Sequence, residues 1–219
     1  MRDLTISQEY LICAVNEKGT LFTFNTEKMV CLVAAALLEL QLEGCVTVDK
    51  KYITVTAPLP GEKAHLRPLY DYLKGDKPMR TEKLLEEYTY SITDARLKEL
   101  MAAIGDSLVG RGLVEPVQSG LLGRKQGYRP TREAIHSVVD LVRAELLEEG
   151  EVTEDVAALV ILLDQGKCLK PYFSAFEQKE MQAKLQAIAK TPSGKAVRDM
   201  VEYVENLIAI MTVLVTVFT

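Results

Sequence analysis

The chain has 219 residues, of which 26 are basic and 31 acidic, for a formal charge of −5. Hydrophobic residues make up 48% and charged residues 26%, which excludes a disordered chain. The acidic balance also disfavours a surface that is basic everywhere, as a dedicated nucleic-acid binder often shows.

At this length the chain can build one sizeable core, and residues 1–219 are expected to form a single domain. Cys13, Cys31, Cys45 and Cys168 include no CxxC-like pair, and only His65 and His136 stand beside them. A zinc site of the usual spacing cannot be assembled from these, so neither a metal nor a cofactor is expected. Buried free thiols in a reducing, cytoplasmic compartment are the favoured reading. The opening Met1-Arg2-Asp3-Leu4 lacks the basic stretch and long apolar core of a signal peptide. The apolar runs Met29–Leu38 and Leu207–Phe218 fall well short of the ~20 residues that cross a bilayer as a helix. The expected location is therefore cytoplasmic, with at most peripheral attachment to a membrane.

In chain order, Ser7 offers a hydroxyl cap for a first helix through Tyr10–Val15, closed by the turn Asn16-Glu17-Lys18-Gly19. A loop over Thr20–Asn25 carries Phe22 and Phe24, and Thr26 caps a second helix that runs to Gly44. From Met29 to Leu38 every residue is apolar, so this helix has no face for water and must be covered on all sides. Val46, Val48, Tyr52, Ile53 and Val55 around Asp49-Lys50-Lys51 read as a β-hairpin, stopped by Pro58 and Pro60-Gly61. A helix broken or started at Pro68 is expected over Ala64–Leu73, then a loop at Gly75–Pro78 and a short helix over Thr81–Tyr88. Leu97, Leu100, Met101, Ile104 and Leu108 keep the 3.6 period of a helix from about Thr93 to Arg111, capped by Asp94 or Thr93 and ended by Gly112.

Leu113–Tyr128 reads as a second hairpin with its tip near Gly120–Gly127. Thr131 opens a capping-box-like pattern for a helix to Glu149, and Thr153 caps the next one. An aromatic turn at Pro171–Phe176 precedes helices over Gln178–Lys190 and Ala196–Phe218. The fold class is mainly α, with two short β-hairpins.

Three blocks then stand in a telling order: Leu4-Thr5-Ile6-Ser7-Gln8-Glu9-Tyr10-Leu11, Asn16-Glu17-Lys18-Gly19, and Ala36-Leu37-Leu38-Glu39-Leu40-Gln41-Leu42-Glu43-Gly44. With Ala57-Pro58-Leu59-Pro60-Gly61-Glu62 and Leu108-Val109-Gly110-Arg111-Gly112-Leu113 downstream, the chain resembles the Golgi phosphoprotein 3 family along nearly its whole length. The resemblance implies a central apolar helix bundle surrounded by amphipathic helices. It also implies a non-enzymatic peripheral membrane or adaptor protein, since eukaryotic members bind phosphatidylinositol 4-phosphate and retain glycosyltransferases by their cytoplasmic tails. The plain second hairpin, without a long insertion, resembles the prokaryotic kind. Carried over position by position, the family's headgroup tryptophan falls on Phe24 and its three arginines on Val33, Lys98 and Met101. One cation of three is kept, so the implied pocket is degenerate, with Phe24 and Lys98 as its headgroup residues. A phosphate is held best by several converging donors.

Arg124, Lys125, Arg129 and Arg132 surround the second hairpin. They could face an anionic membrane, at about 1 kcal/mol per nearby cation, or simply blunt a solvated edge strand. In the family this hairpin is linked to oligomerisation, so a homo-oligomer formed through it and protein tails are further expected partners. No GxxxxGK[ST], GxGxxG or nucleophile elbow is present, and no catalytic residue is nominated. The competing reading is a winged-helix-like DNA-binding protein built from Thr81–Tyr88, Thr93–Arg111 and the hairpin as wing. Its recognition segment Leu100–Ser107 is apolar and small, without Arg, Asn or Gln to read bases, which disfavours nucleic acid as a partner.

Overall fold

Helix α2 (Thr26–Leu42) carries the expected apolar run, and residues 29–38 are all buried, none more than 4% exposed. The computed structural model describes residues 4–21, 26–49, 51–90, 94–119 and 125–213. Without a polar face, α2 is covered by α1 (Ile6–Ala14), α7 (Glu154–Gln165), α9 (Lys195–Val213) and a π-turn at Glu86–Tyr90. Ala34, Ala35 and Ala36 extend no bulk toward these neighbours and are fully enclosed.

Helix α1 is buried along its entire length. Thr5, not Ser7, stands at its N-cap, and the Thr5 N–H donates to Gln8 Oε1 at 3.1 Å. Ser7 lies inside the first turn, where its N–H is taken by the Glu39 carboxylate and its hydroxyl finds no partner. The turn at residues 16–20 forms as expected, with Asn16 Oδ1 accepting the N–H groups of Lys18 and Thr20.

Strands β1 (Val46–Val48) and β2 (Tyr52–Val55) pair antiparallel as the first hairpin, with Val46 opposite Val55. A third strand, β3 (Met79–Arg80), joins β2 with Tyr52 opposite Arg80. It was not expected, because two residues are too few to display a period. Between them a 3₁₀ turn (Gly61–Leu66) leads into α3 (Arg67–Leu73), with Pro68 in its first turn. Helix α4 (Thr81–Leu85) runs into the π-turn.

Helix α5 (Ala95–Val109) buries Leu97, Leu100, Met101, Ile104 and Leu108, as the period predicts. Asp94 occupies its N-cap in the left-handed region, φ 48°, and makes no capping bond. Strands β4 (Val114–Ser119) and β5 (Lys125–Pro130) form the second hairpin. Thr131 caps α6 (Arg132–Leu146) through a single bond from the Ala134 N–H, since an alanine at that position cannot return the bond of a capping box. Helix α6 stops at Leu146 rather than Glu149. The Lys184 ammonium donates to the carbonyls of Glu145 and Gly150 just there, at 2.7 and 3.2 Å.

Thr153 caps α7 as expected. Helix α8 (Ala175–Ala189) begins earlier than the expected Gln178, because Ser174 and Glu177 close a reciprocal capping box. Residues 214–219, expected at the end of the last helix, lie outside the described residues. All four cysteines are free and buried, and no described helix is long and apolar enough to cross a membrane. The fold is mainly α, with a central apolar bundle and two small antiparallel sheets.

Among the described residues, Ser7, Gln8, Glu9, Glu39, His65 and Thr81 are polar and buried, and Glu39 joins two elements to α2. Glu39, on α2, is 3% exposed, accepts the Ser7 N–H through Oε1, and meets His65 Nε2 at 3.1 Å through Oε2. Burial alone pushes this carboxyl up; the His65 ring and the Ser7 N–H outweigh it and hold the group below the ordinary carboxylate value of 4.5. A carboxyl held low in the folded state adds stability above that value, and the contribution disappears as pH falls through the folded-state value. Replacing Glu39 with Ala strands His65 and the Ser7 N–H, and denaturant melts at pH 7 should show a loss of about 3 kcal/mol or more. In an acid titration followed by circular dichroism, Glu39→Gln should unfold with a shallower pH dependence below 4.5 than the parent.

Candidate functional site

The second hairpin is fastened to the body at its root. The Tyr128 N–H donates to Gly19 O at 2.7 Å, and Gly19 adopts φ 66°, which favours glycine. The Tyr128 hydroxyl donates to Asp106 Oδ1 at 2.8 Å and accepts from Gln126 Nε2 at 2.8 Å. Its ring lies on Gly105 of α5, where an added Cβ would come within 2.4 Å. Burial first, then the Asp106 bond, pushes the Tyr128 phenol well above its ordinary value, so it stays a donor.

Along this hairpin Arg129 pairs with Glu115 across the ladder at 2.9 Å, both side chains more than half exposed. An exposed pair of this kind contributes ~0–1 kcal/mol. Arg132 is exposed in the first turn of α6. Lys125 opens β5, its side chain not among those described, and Arg124 lies outside the described residues. The structure thus strings Lys125, Arg129 and Arg132 along one strand-to-helix edge.

At the entrance of α2, Glu27 pairs with Lys167 from the loop after α7, and the Lys28 ammonium donates to Ala14 O at 2.8 Å. The Lys167 bond is the main reason that the Glu27 carboxyl sits low. An acidic side chain in the first turn, where a helix attracts anions, answers internally a position that could otherwise receive a phosphate. Phe22 and Phe24 lie outside the described residues. Val33 is completely buried and Met101 is buried on the inner face of α5, whereas Lys98 is exposed on the outer face. Of the described positions Val33, Lys98 and Met101, Lys98 alone offers a donor to solvent.

The outer face of α5 also carries Glu99 and Asp106, so a winged-helix reading would present DNA with two carboxylates beside one lysine. Among the described residues, Thr5, Glu39 and His65 form a constellation that invites a chemical reading, and its bonds span 60 and 26 residues, so no local pattern announces it. Thr5 Oγ1 and Glu39 Oε2 meet the same ring nitrogen, at 3.3 and 3.1 Å. The shared nitrogen ties the N-cap of α1, helix α2 and the 3₁₀ turn to one another. Tyr10, Cys13, Cys31 and Cys168 meet in the core, where burial pushes the Cys31 thiol up to about 12. Such thiols are poor nucleophiles. Among the described residues, no group of three His, Cys, Asp or Glu could hold a metal.

The Golgi phosphoprotein 3 (GPP34) family model matches residues 6–204. The chain belongs to the Golgi phosphoprotein 3 family. The match runs from the first residue of α1 into α9 and takes in both hairpins and the buried α2. No curated protein sequence matches the chain. Within this Golgi phosphoprotein 3 domain, the second hairpin and the start of α6 carry Arg129 and Arg132 as exposed cations.

Its anchoring is open to direct measurement. Gly105→Ala should displace the Tyr128 ring and destabilise the protein by about 1–3 kcal/mol. Tyr128→Phe should cost about 1 kcal/mol through the lost Asp106 bond. Thermal melts read both, and hydrogen exchange at the Tyr128 amide should quicken more in Gly105→Ala than in Tyr128→Phe.

Proposed function

We propose that this member of the Golgi phosphoprotein 3 family is a non-enzymatic peripheral membrane adaptor that meets anionic bilayers through the basic edge of its second hairpin. The observation that carries this reading is the root of that hairpin. It is held on α5 and on the turn after α1 by Tyr128, so Arg129, next to it, sits on an anchored strand and Arg132 on the helix that follows. Specific recognition of phosphatidylinositol 4-phosphate is disfavoured, because Val33 and Met101 are interior apolar residues at positions where the resemblance places arginines. Lys98 alone cannot supply the converging donors that a phosphate monoester prefers. Strands β4 and β5 form a two-stranded sheet; the outer side of β5 is bonded to Gly19 O through the Tyr128 N–H, so the outer edge of β4 is the one without a strand partner among the described residues. Such an edge suits pairing with a second copy. Protein tails fit the same reading as the adaptor's other partners.

Co-sedimentation with phosphatidylserine vesicles tests the proposal. The chain should bind at low salt and release as salt rises, with no gain from added phosphatidylinositol 4-phosphate. Neutralising Arg124, Lys125, Arg129 or Arg132 should each weaken binding by about fivefold, the equivalent of about 1 kcal/mol per cation. Binding that requires the phosphoinositide, or that ignores all four substitutions, would overturn it. In gel shifts the chain should leave duplex DNA unretarded even at low salt, where phosphate-driven binding is strongest.

A further inference from the structure

A groove of about 950 Å³ lies between the β1–β2–β3 sheet and the C-terminal half of α9, a size that suits a small organic ligand. Among the described residues, none of its lining comes from the second hairpin, α5 or the entrance of α2. Tyr203, Leu207 and Ile210 follow one another at helical spacing along α9 and supply an apolar wall, with Val48 and the 40%-exposed Tyr52 on the sheet side. The Tyr203 hydroxyl donates to Gln41 Oε1, so Tyr203 has its ring to offer the groove.

The sheet brings two cations together on the lining. Arg80 stands opposite Tyr52 in the ladder, and the N–H of the next residue, Thr81, donates to Lys51 O at 3.0 Å. Both Lys51 and Arg80 are exposed, and neither side chain makes an ion pair with a described residue. This differs from Lys63, Arg129 and Lys167, each matched by a glutamate. Two acids share the lining. Asp49 Oδ1 accepts the N–H groups of Lys51 and Tyr52, at 2.7 and 2.8 Å, bonds that hold its carboxyl ionised, so Asp49 and Glu82 both oppose an anion at the edge of the groove. The Thr81 hydroxyl is buried without a partner, a polar atom left unused beside the two cations.

We propose that this groove binds a single-chain amphiphile with an anionic head, its alkyl chain along Tyr203, Leu207 and Ile210 and its carboxylate or phosphate at Lys51 and Arg80. The two cations, neither held in an ion pair with a described residue, select the head, and the apolar wall of α9 selects the chain. The site stands apart from the membrane-facing hairpin and does not depend on it.

Titration calorimetry on the full chain decides this with four probes below their micellar concentrations: decanoate, decyl phosphate, a neutral decyl glycoside and inorganic phosphate. One of the two acids, or both, should saturate a single site, and the better one identifies the head. The glycoside and inorganic phosphate should each bind at least about tenfold more weakly than that acid. Lys51→Gln and Arg80→Gln should each weaken the better acid by about tenfold, and Glu82→Gln should tighten it. Asn206→Trp, at an exposed position on the lining, should block binding while circular dichroism and the melting temperature stay unchanged. Equal affinity for the glycoside and the acids, or acid binding that survives Lys51→Gln, Arg80→Gln and Asn206→Trp, would overturn the assignment. So would a failure of both acids to bind.

Discussion

Because residues 29–38 of α2 offer water no polar surface, the surrounding elements are committed to closing around them. Helix α1 is spent entirely on that task and keeps no outward face of its own. Glu39 tests the arrangement most severely, since a carboxylate at 3% exposure costs several kcal/mol unless its oxygens are satisfied. Ser7 and His65 satisfy them, and in doing so they tie α1 and the 3₁₀ turn to the middle of the molecule. The same enclosure explains why Val33 suits its place. A cation there would have to find comparable partners inside the core, or the helix would have to turn outward.

Chemistry is accordingly displaced to the periphery, where the distribution of matched and unmatched charge becomes informative. The entrance of α2 is internally settled: Glu27 holds Lys167, and Lys28 reaches the end of α1. The root of the second hairpin is settled mechanically, with Tyr128 bonded to both Gly19 and Asp106, yet it still carries an exposed cation in Arg132. The first sheet does the opposite with Lys51 and Arg80, neither of which makes an ion pair with a described residue, although Asp49 and Glu82 share the groove they line. Membership of the Golgi phosphoprotein 3 family accounts for the frame that all three surfaces share. It does not by itself dictate which surface this chain uses.

Much of that frame is legible in the residues. The wholly apolar stretch of α2, the 3.6 period of α5 and the threonine ahead of α7 are local signals, and each produced the element it announces. The failures share a cause, which is dependence on a partner distant in sequence. Strand β3 exists only because β2 lies beside it, and Ser7 lost the cap to Thr5 because its N–H was taken by a carboxylate 32 residues away. The opening of α8 is the exception, since Ser174 and Glu177 are close neighbours and their capping box could have been read directly. Of the site residues, Lys98, Arg129 and Arg132 proved as exposed as a ligand-facing role requires, but nothing local could reveal that Arg129 is shared with Glu115. Phe24 and Arg124 fall outside the described residues.

The long reach of these contacts also governs how the chain comes together. The Tyr10 hydroxyl lies 3.9 Å from Cys168 Sγ, 158 positions later, and Tyr172 donates to Cys13 O across 159. Tyr203 donates to Gln41 across 162. Helices α1 and α2 therefore precede in the chain the elements that cover them. Such non-local closure slows folding and prolongs the exposure of apolar surface. A ribosome making this protein must carry two greasy helices through most of elongation, which makes the nascent chain a natural client for chaperones that bind apolar segments.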